Sequence, residues 1–213
     1  MLCIGDSHVA VFKDVQVPGV WFRTYVIGGA TASGILNPSS QTESFKLITA
    51  RLERARPYQQ ILLLLGEVDC NYLIWHRAQR LGLSVDEQLD LTLSSYTGMI
   101  DRIVGQGFTR VLVLSAPLPA ITDSTIAEGR IARIRSQVKA SRLERTELTQ
   151  RFNRKLERRC CEIGAVFVDV TSGQVDPRTG VIHHRFVRDN PRNIHLTRGP
   201  YSELISDQPR GLF

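Results

Sequence analysis

Apolar residues along this chain fall into short continuous runs, separated by longer stretches in which they recur every three or four positions. The first pattern predicts strands and the second predicts helices. Leu2 to Ile4 predicts a first strand, and Trp21 to Ile27, rich in aromatic and β-branched residues, predicts a second. Gln60 to Leu65 is a continuous apolar run, the signature of a central strand buried on both faces. Arg110 to Leu114 and Ala165 to Val170 predict the fourth and fifth strands. Helices are predicted from Thr42 to Arg54, from about Ser84 to Gln106, and through a basic stretch ending near Glu162. In the second of these, Val85, Leu89, Leu93, Tyr96, Ile100 and Ile103 or Val104 keep helical spacing. From about Thr171 to Phe213 the chain reads as irregular and polar, with a turn at Asp176-Pro-Arg-Thr-Gly180. Strands alternating with helices imply an α/β protein with a parallel sheet covered on both faces. No linker-like stretch divides the 213 residues, so residues 1–213 are expected to form one domain.

The first three strands each end in a glycine-bearing turn: Gly5-Asp6-Ser7-His8, Gly28-Gly29 leading to Gly34, and Gly66-Glu67-Val68-Asp69-Cys70-Asn71. In a parallel sheet all three fall on one edge, outside the carboxyl ends of the strands, where ligands bind. A serine hydroxyl there faces a cleft, but it is a weak nucleophile until a base takes its proton. A late histidine, His195 in Asn193-Ile194-His195, accompanies the three turns. Plainer roles stand beside these: Ser7 also suits the N-cap of a following helix, and His195 also suits a surface position. Asp6 is a candidate substrate-binding residue, and His8 reads as a cleft-wall or substrate-contact residue. Glu67 and Asp69 suit substrate hydroxyls or structural pairing with arginines equally well. Tyr72, Trp75 and His76 read as a packing cluster, although a sugar-binding wall has the same composition.

Charge changes this picture little. The net charge is +6, and the cations crowd into Arg130, Arg133, Arg135, Lys139, Arg142, Arg145, Arg151, Arg154, Lys155, Arg158 and Arg159. Glu128, Glu144, Glu147 and Glu157 interleave with them, while Leu143, Leu148, Phe152, Leu156 and Cys160 keep an apolar stripe. This is the pattern of a solvated amphipathic helix rather than a nucleic-acid reader, for which no motif is present. No run approaches the roughly 18 to 20 apolar residues that span a bilayer, and no signal-peptide pattern opens the sequence, so no membrane partner is expected. The four cysteines lack metal or CxxC spacing, which fits reduced thiols and a cytoplasmic setting. No metal ligand set is recognisable, and no cofactor is implied.

Taken in order, the blocks resemble those of the SGNH, or GDSL-type, hydrolase superfamily. Gly5-Asp6-Ser7 is similar to its first block, Gly28-Gly29 to the second, Gly66-Glu-Val-Asp69 to the third, and His195 to the histidine of the last. The resemblance runs from residue 2 to about residue 197. It implies a three-layer α/β/α sandwich with a flavodoxin-like five-stranded parallel sheet, a Ser7 nucleophile, a His195 base and an oxyanion hole formed by the N–H groups of Ser7 and Gly29 (or Gly28). Two positions depart from the family pattern. Val68 stands where the third block keeps an oxyanion-binding asparagine, so Asn71, or the backbone N–H of Cys70 or Asn71, is the candidate third donor. Arg192 stands where the last block keeps an aspartate, leaving Asp189, Asn190 and Asn193 as candidates to hold His195, of which Asp189 has the right charge. The implied activity is hydrolysis of a small acyl ester of a carbohydrate or metabolite. Acyl transfer, with acyl-CoA as a possible donor, and a non-catalytic binding domain are the alternatives.

Overall fold

The computed structural model describes residues 1–55, 60–123, 137–189, 195–209 and 211–213. Five strands form one sheet: β1 (Leu2–Gly5), β2 (Arg23–Val26), β3 (Gln60–Leu64), β4 (Arg110–Leu114) and β5 (Val166–Val168). Their order is β2-β1-β3-β4-β5, and every neighbouring pair is parallel. Because the order reverses at β1, the turns after β1 and β3 flank the switch point at which this topology opens a crevice. Ser7 follows β1 directly.

Handedness decides which face each connection covers. The step from β1 to β2 runs opposite to the steps from β2 to β3, β3 to β4 and β4 to β5, and right-handed crossovers then place it on the other side of the sheet. The structure obeys this rule. Helices α1 (Ser44–Glu53), α3 (Val85–Val104) and α4 (Arg142–Ile163) pack with Leu2, Ile4, Ile61, Leu63, Val111 and Val113. The short 3-10 helix Ser7–Lys13 lies on the opposite face with Cys3, Leu62, Leu64, Leu112 and Leu114. Alternate strand residues therefore feed two separate cores, which explains the unbroken apolar runs.

The expectation of an irregular chain after residue 171 is corrected. Helix α5 (Arg198–Ser206) forms there and buries Tyr201 and Ile205 against the second face, together with Phe186, Leu196 and Ile182. Its apolar residues are too few and too closely spaced to give a visible period, and Pro200 sits in its first turn, where its missing N–H costs nothing. This segment supplies most of the third layer. The turn read at Asp176 to Gly180 is present, with Gly180 N–H donating to the Asp176 carbonyl at 2.9 Å. A second unforeseen element follows β3: a π-helical turn (Asp69–Leu73) that runs into α2 (Ile74–Leu81).

The basic helix begins later than its charge pattern suggests, at Arg142, after a capping box in which Ser141 and Glu144 exchange side-chain and backbone hydrogen bonds. Arg130, Arg133 and Arg135 lie outside the described residues. Leu148, Phe152, Leu156 and Cys160 form the buried stripe, but Leu143 is exposed. Two cations of α4 turn to acids of α3, Arg151 to Asp86 at 2.7 Å and Lys155 to Asp90. Exposed pairs of this kind contribute little each. Their consequence is that this face of α4 is charge-compensated rather than an open basic patch. Ser141→Ala removes the cap and is expected to cost about 1 kcal/mol, read as a Tm drop of roughly 2–4 °C in thermal unfolding.

All four cysteines are free thiols. Burial pushes the thiols of Cys3 and Cys160 up to about 12 and raises that of Cys70 as well, whereas Cys161 is exposed. Since the thiolate is the reactive form, Ellman's reagent at pH 8 is expected to titrate Cys161 alone in the native protein and all four thiols after denaturation. No helix among the described residues is long and apolar enough to cross a membrane.

Candidate active site

Strand β1 ends at Gly5, whose partner in register on β3 is Leu64. A Cβ on Gly5 would lie 2.1 Å from the Leu64 carbonyl oxygen, so the close approach of the two strands requires glycine here. Asp6 then leaves the strand and caps the 3-10 helix, its Oδ1 accepting from the His8 N–H at 2.8 Å. The cap of this helix therefore belongs to Asp6 and not to Ser7. Ser7 Oγ meets His195 Nε2 at 2.7 Å, across 188 residues of sequence. Both residues are half-buried.

The histidine is held on the side of the second core. Leu196 is buried, Thr197 N–H donates to the Phe186 carbonyl, and Arg188 Nε donates to the Leu196 carbonyl at 3.1 Å. Burial is the main reason that the pKa of His195 falls to about 4, and the charges of His8, Arg188 and Arg198 push the same way while Asp6 opposes them. A depressed pKa keeps the imidazole neutral at physiological pH, as a base must be.

The third turn is tied to the second. Asp69, fully buried, accepts from Ala32 N–H at 2.7 Å and Ser33 N–H at 3.1 Å. Its carboxyl therefore serves the loop that follows Gly29, a task that its place in the sequence does not show and that only the folding of the loop reveals. Burial raises its pKa above the ordinary carboxylate value, against the bonds from Ser33 and Ala32 and the charge of Arg77. Gly66 follows β3 at φ +117, and a Cβ there would lie 2.8 Å from the Phe152 ring and 3.0 Å from Ala116, so conformation and space both favour glycine. Asn71 is buried, and its Nδ2 donates to Glu67 Oε1 at 2.7 Å.

Of the residues singled out from sequence, Ser7, His8 and His195 come together directly, with Asp6 beneath them. Gly29 adopts φ +73 and is exposed at the end of β2. Asp6, at 1% exposure, and His8, at 4%, are more enclosed than a substrate-contact reading implies. Asp189 is exposed, and among the described residues it makes no hydrogen bond with His195. Asn190, Arg192 and Asn193 lie outside the described residues. Trp75 hydrogen-bonds the Cys70 carbonyl at 2.8 Å and lines a groove with Glu144, Glu147 and Arg151 of α4; neither Ser7 nor His195 takes part in its walls. His183 and His184 stack on one another at 4.2 Å, and His183 caps the turn that contains its neighbour. No group of three or more metal-ligating side chains occurs among the described residues.

The parallel sheet thus carries a serine after β1 and, from the C-terminal segment, a histidine on its hydroxyl. Neither a protein-family model nor a curated protein matches the sequence. Solved structures do match the fold. A GDSL-like lipase from Bacteroides thetaiotaomicron aligns at 16% identity with a TM-score of 0.59, over 96% of this chain and 82% of that one. A mutant of an acetyl-xylooligosaccharide esterase from Geobacillus stearothermophilus aligns at 13% identity with a TM-score of 0.53, over 96% of this chain and 89% of that one. The chain therefore has the SGNH-hydrolase fold. At these identities the likeness speaks for the fold, and the chemistry has to be argued from this chain's own residues.

Proposed function

We propose that this protein is a serine esterase of the SGNH type that removes a small acyl group, such as acetyl, from an oxygen of a carbohydrate or small metabolite. The observation that carries this reading is the 2.7 Å contact between Ser7 Oγ and His195 Nε2 at the crevice of the sheet. Ser7 Oγ attacks the acyl carbon as His195 Nε2 takes the hydroxyl proton, and the carbonyl electron pair moves onto oxygen. The tetrahedral intermediate collapses with His195 returning that proton to the departing alcohol, which leaves an acyl-Ser7 ester. Water, deprotonated by the same imidazole, then releases the carboxylic acid and restores Ser7. The N–H groups of Ser7 and Gly29 are assigned to the developing oxyanion, with Asn71 as third donor; losing one such donor costs roughly 10²- to 10³-fold in rate. The Asp69 bonds to Ala32 and Ser33 support this assignment, because they fix the loop that follows Gly29 to the turn that carries Asn71. An acetylated carbohydrate is a reasonable first substrate, since one structural neighbour is named for acetyl-xylooligosaccharides.

The direct test is covalent. After incubation with a panel of aryl acyl esters and a serine-directed fluorophosphonate, mass spectrometry is expected to find the adduct on the peptide that contains Ser7. An unlabelled Ser7, under conditions in which related esterases react, would sink the reading in favour of a non-catalytic domain. Supplying acyl-CoA together with sugar acceptors tells transfer from hydrolysis.

The pH dependence follows from the base. Activity needs neutral His195, so kcat/KM is expected to rise through a limb at about pH 4 and to be flat by pH 6, where an unperturbed histidine would still be titrating. The same shift acts on folding. Between the ordinary histidine value near 6.5 and about 4, the unfolded chain binds the proton more readily, so the contribution of His195 to stability is lost as pH falls through that window.

A further inference from the structure

Asp189, the acid nearest to His195 in sequence, is exposed, whereas a buried carboxylate, Asp6, lies beneath the ring that packs on His195. We propose that the pair Asp6–His8 positions His195 and that Asp6, acting through His8, stabilises the imidazolium that forms when His195 takes the Ser7 proton. The proposal rests on the esterase reading given above.

Three observations carry it. First, Asp6 and His8 are a buried pair: His8 Nδ1 lies 3.2 Å from Asp6 Oδ1, with side chains 2% exposed for His8 and 1% for Asp6. Second, the His8 ring lies against the His195 ring, with centroids 5.1 Å apart and planes tilted by 43°. A residue one place along a helical turn from Ser7 thus touches the same base that Ser7 touches. Third, Asp6 is only partly satisfied. Oδ1 takes both the backbone and the ring contact from His8, while Oδ2 accepts no hydrogen bond among the described residues. A carboxylate buried in this way acts on its neighbours with little screening from solvent.

Among the described residues, the charges that bear on His195 include His8, Arg188 and Arg198, which disfavour its protonated form, and Asp6, which favours it. The net effect of the surroundings is to keep His195 neutral at rest, and Asp6 is the charge that limits the cost of protonating it during the reaction. Asp6 reaches His195 through His8 rather than by a direct bond. Its effect is therefore expected to be smaller than the roughly 10⁴-fold loss that follows removal of a directly bonded triad acid. The cap role of Asp6 separates cleanly from this one, because asparagine caps as well as aspartate but carries no charge.

Asp6→Asn in the full chain is the test. It is expected to lower kcat for an aryl acetate by about 10²-fold with KM changed less than about threefold and Tm retained. At pH 4, where the wild type has lost half of its kcat/KM, the variant is expected to stay on its own lower plateau, because its base is weaker. His8→Gln, which removes the ring that lies against His195, is the second variant; it is expected to lower kcat by loosening His195, while its acid limb moves upward because the His8 charge that disfavours the imidazolium is gone. If Asp6→Asn does not fold, His8→Gln decides the matter alone. Unchanged kcat and an unchanged acid limb in whichever of these folds overturn the proposal, as does a loss of kcat in Asp189→Asn with none in Asp6→Asn. Fluorophosphonate labelling of wild-type Ser7 keeps the two levels apart: labelled wild type with an unaffected Asp6→Asn removes the Asp6 role only, whereas unlabelled wild type removes the esterase reading itself.

Discussion

Ser7→Ala is expected to lower kcat/KM for an aryl acetate by at least roughly 10⁴-fold while leaving Tm within about 1 °C of wild type. The large effect on rate follows from the mechanism, in which Oγ is the only atom that bonds to the acyl carbon. The small effect on stability follows from the environment of Ser7. It is half-buried, its hydroxyl bonds to His195 rather than to the backbone, and the cap of the 3-10 helix belongs to Asp6. Losing one part-exposed hydroxyl contact costs about 1 kcal/mol at most, and the space it leaves opens to the crevice rather than to the core. Circular dichroism and thermal unfolding check the fold, and steady-state hydrolysis checks the rate. A variant that keeps more than about a tenth of wild-type activity would show that Ser7 is not the nucleophile.

Gly5→Ala is expected to be the most destructive single substitution for the fold, costing about 3–5 kcal/mol in denaturant unfolding, out of a total of about 5–15 kcal/mol for a domain. The reason is geometric: the new Cβ would sit 2.1 Å from the Leu64 carbonyl oxygen and within 3.3 Å of two further Leu64 backbone atoms. Neighbouring backbone in the middle of a parallel sheet has no rotamer by which to give way. β1 must move away from β3, weakening the central pairing of the sheet and displacing the turn that carries Ser7. Activity is therefore expected to fall with stability, even in whatever fraction stays folded. A Gly5→Ala protein with wild-type midpoint and rate would mean that β1 and β3 do not approach as described.

Much of the sheet was legible in the sequence because its strands are buried on both faces, and a continuous apolar run this short suits a doubly covered strand better than any other element. Leu62 and Leu64 serve one core while Ile61, Leu63 and Leu65 serve the other. Helix α3 was legible because twenty residues give a period time to show, and its Ser84 cap falls where the pattern starts. Helices α2 and α5 were not. They have eight and nine residues, respectively, and one lies in a polar stretch and the other contains proline, so neither builds a readable period. Leu143 was misplaced for a related reason: it fits the stripe in sequence, but so soon after the cap the helix has not yet turned that face to the core.

The sequence by itself determined the class of fold and the glycine-bearing strand ends, which follow from periodicity and from turns that favour small residues, and the resemblance of its blocks singled out Ser7 and His195 as the residues to watch. What only the tertiary structure decided is how those residues are supported. It brought His195 onto Ser7 across 188 residues, built much of the third layer from the C-terminal segment, turned Asp69 to the backbone of the Ala32–Ser33 loop, and buried Asp6 and His8 beside His195. Such long-range pairings depend on strand order and crossover hand, which are properties of the assembled sheet and leave no local trace in the chain.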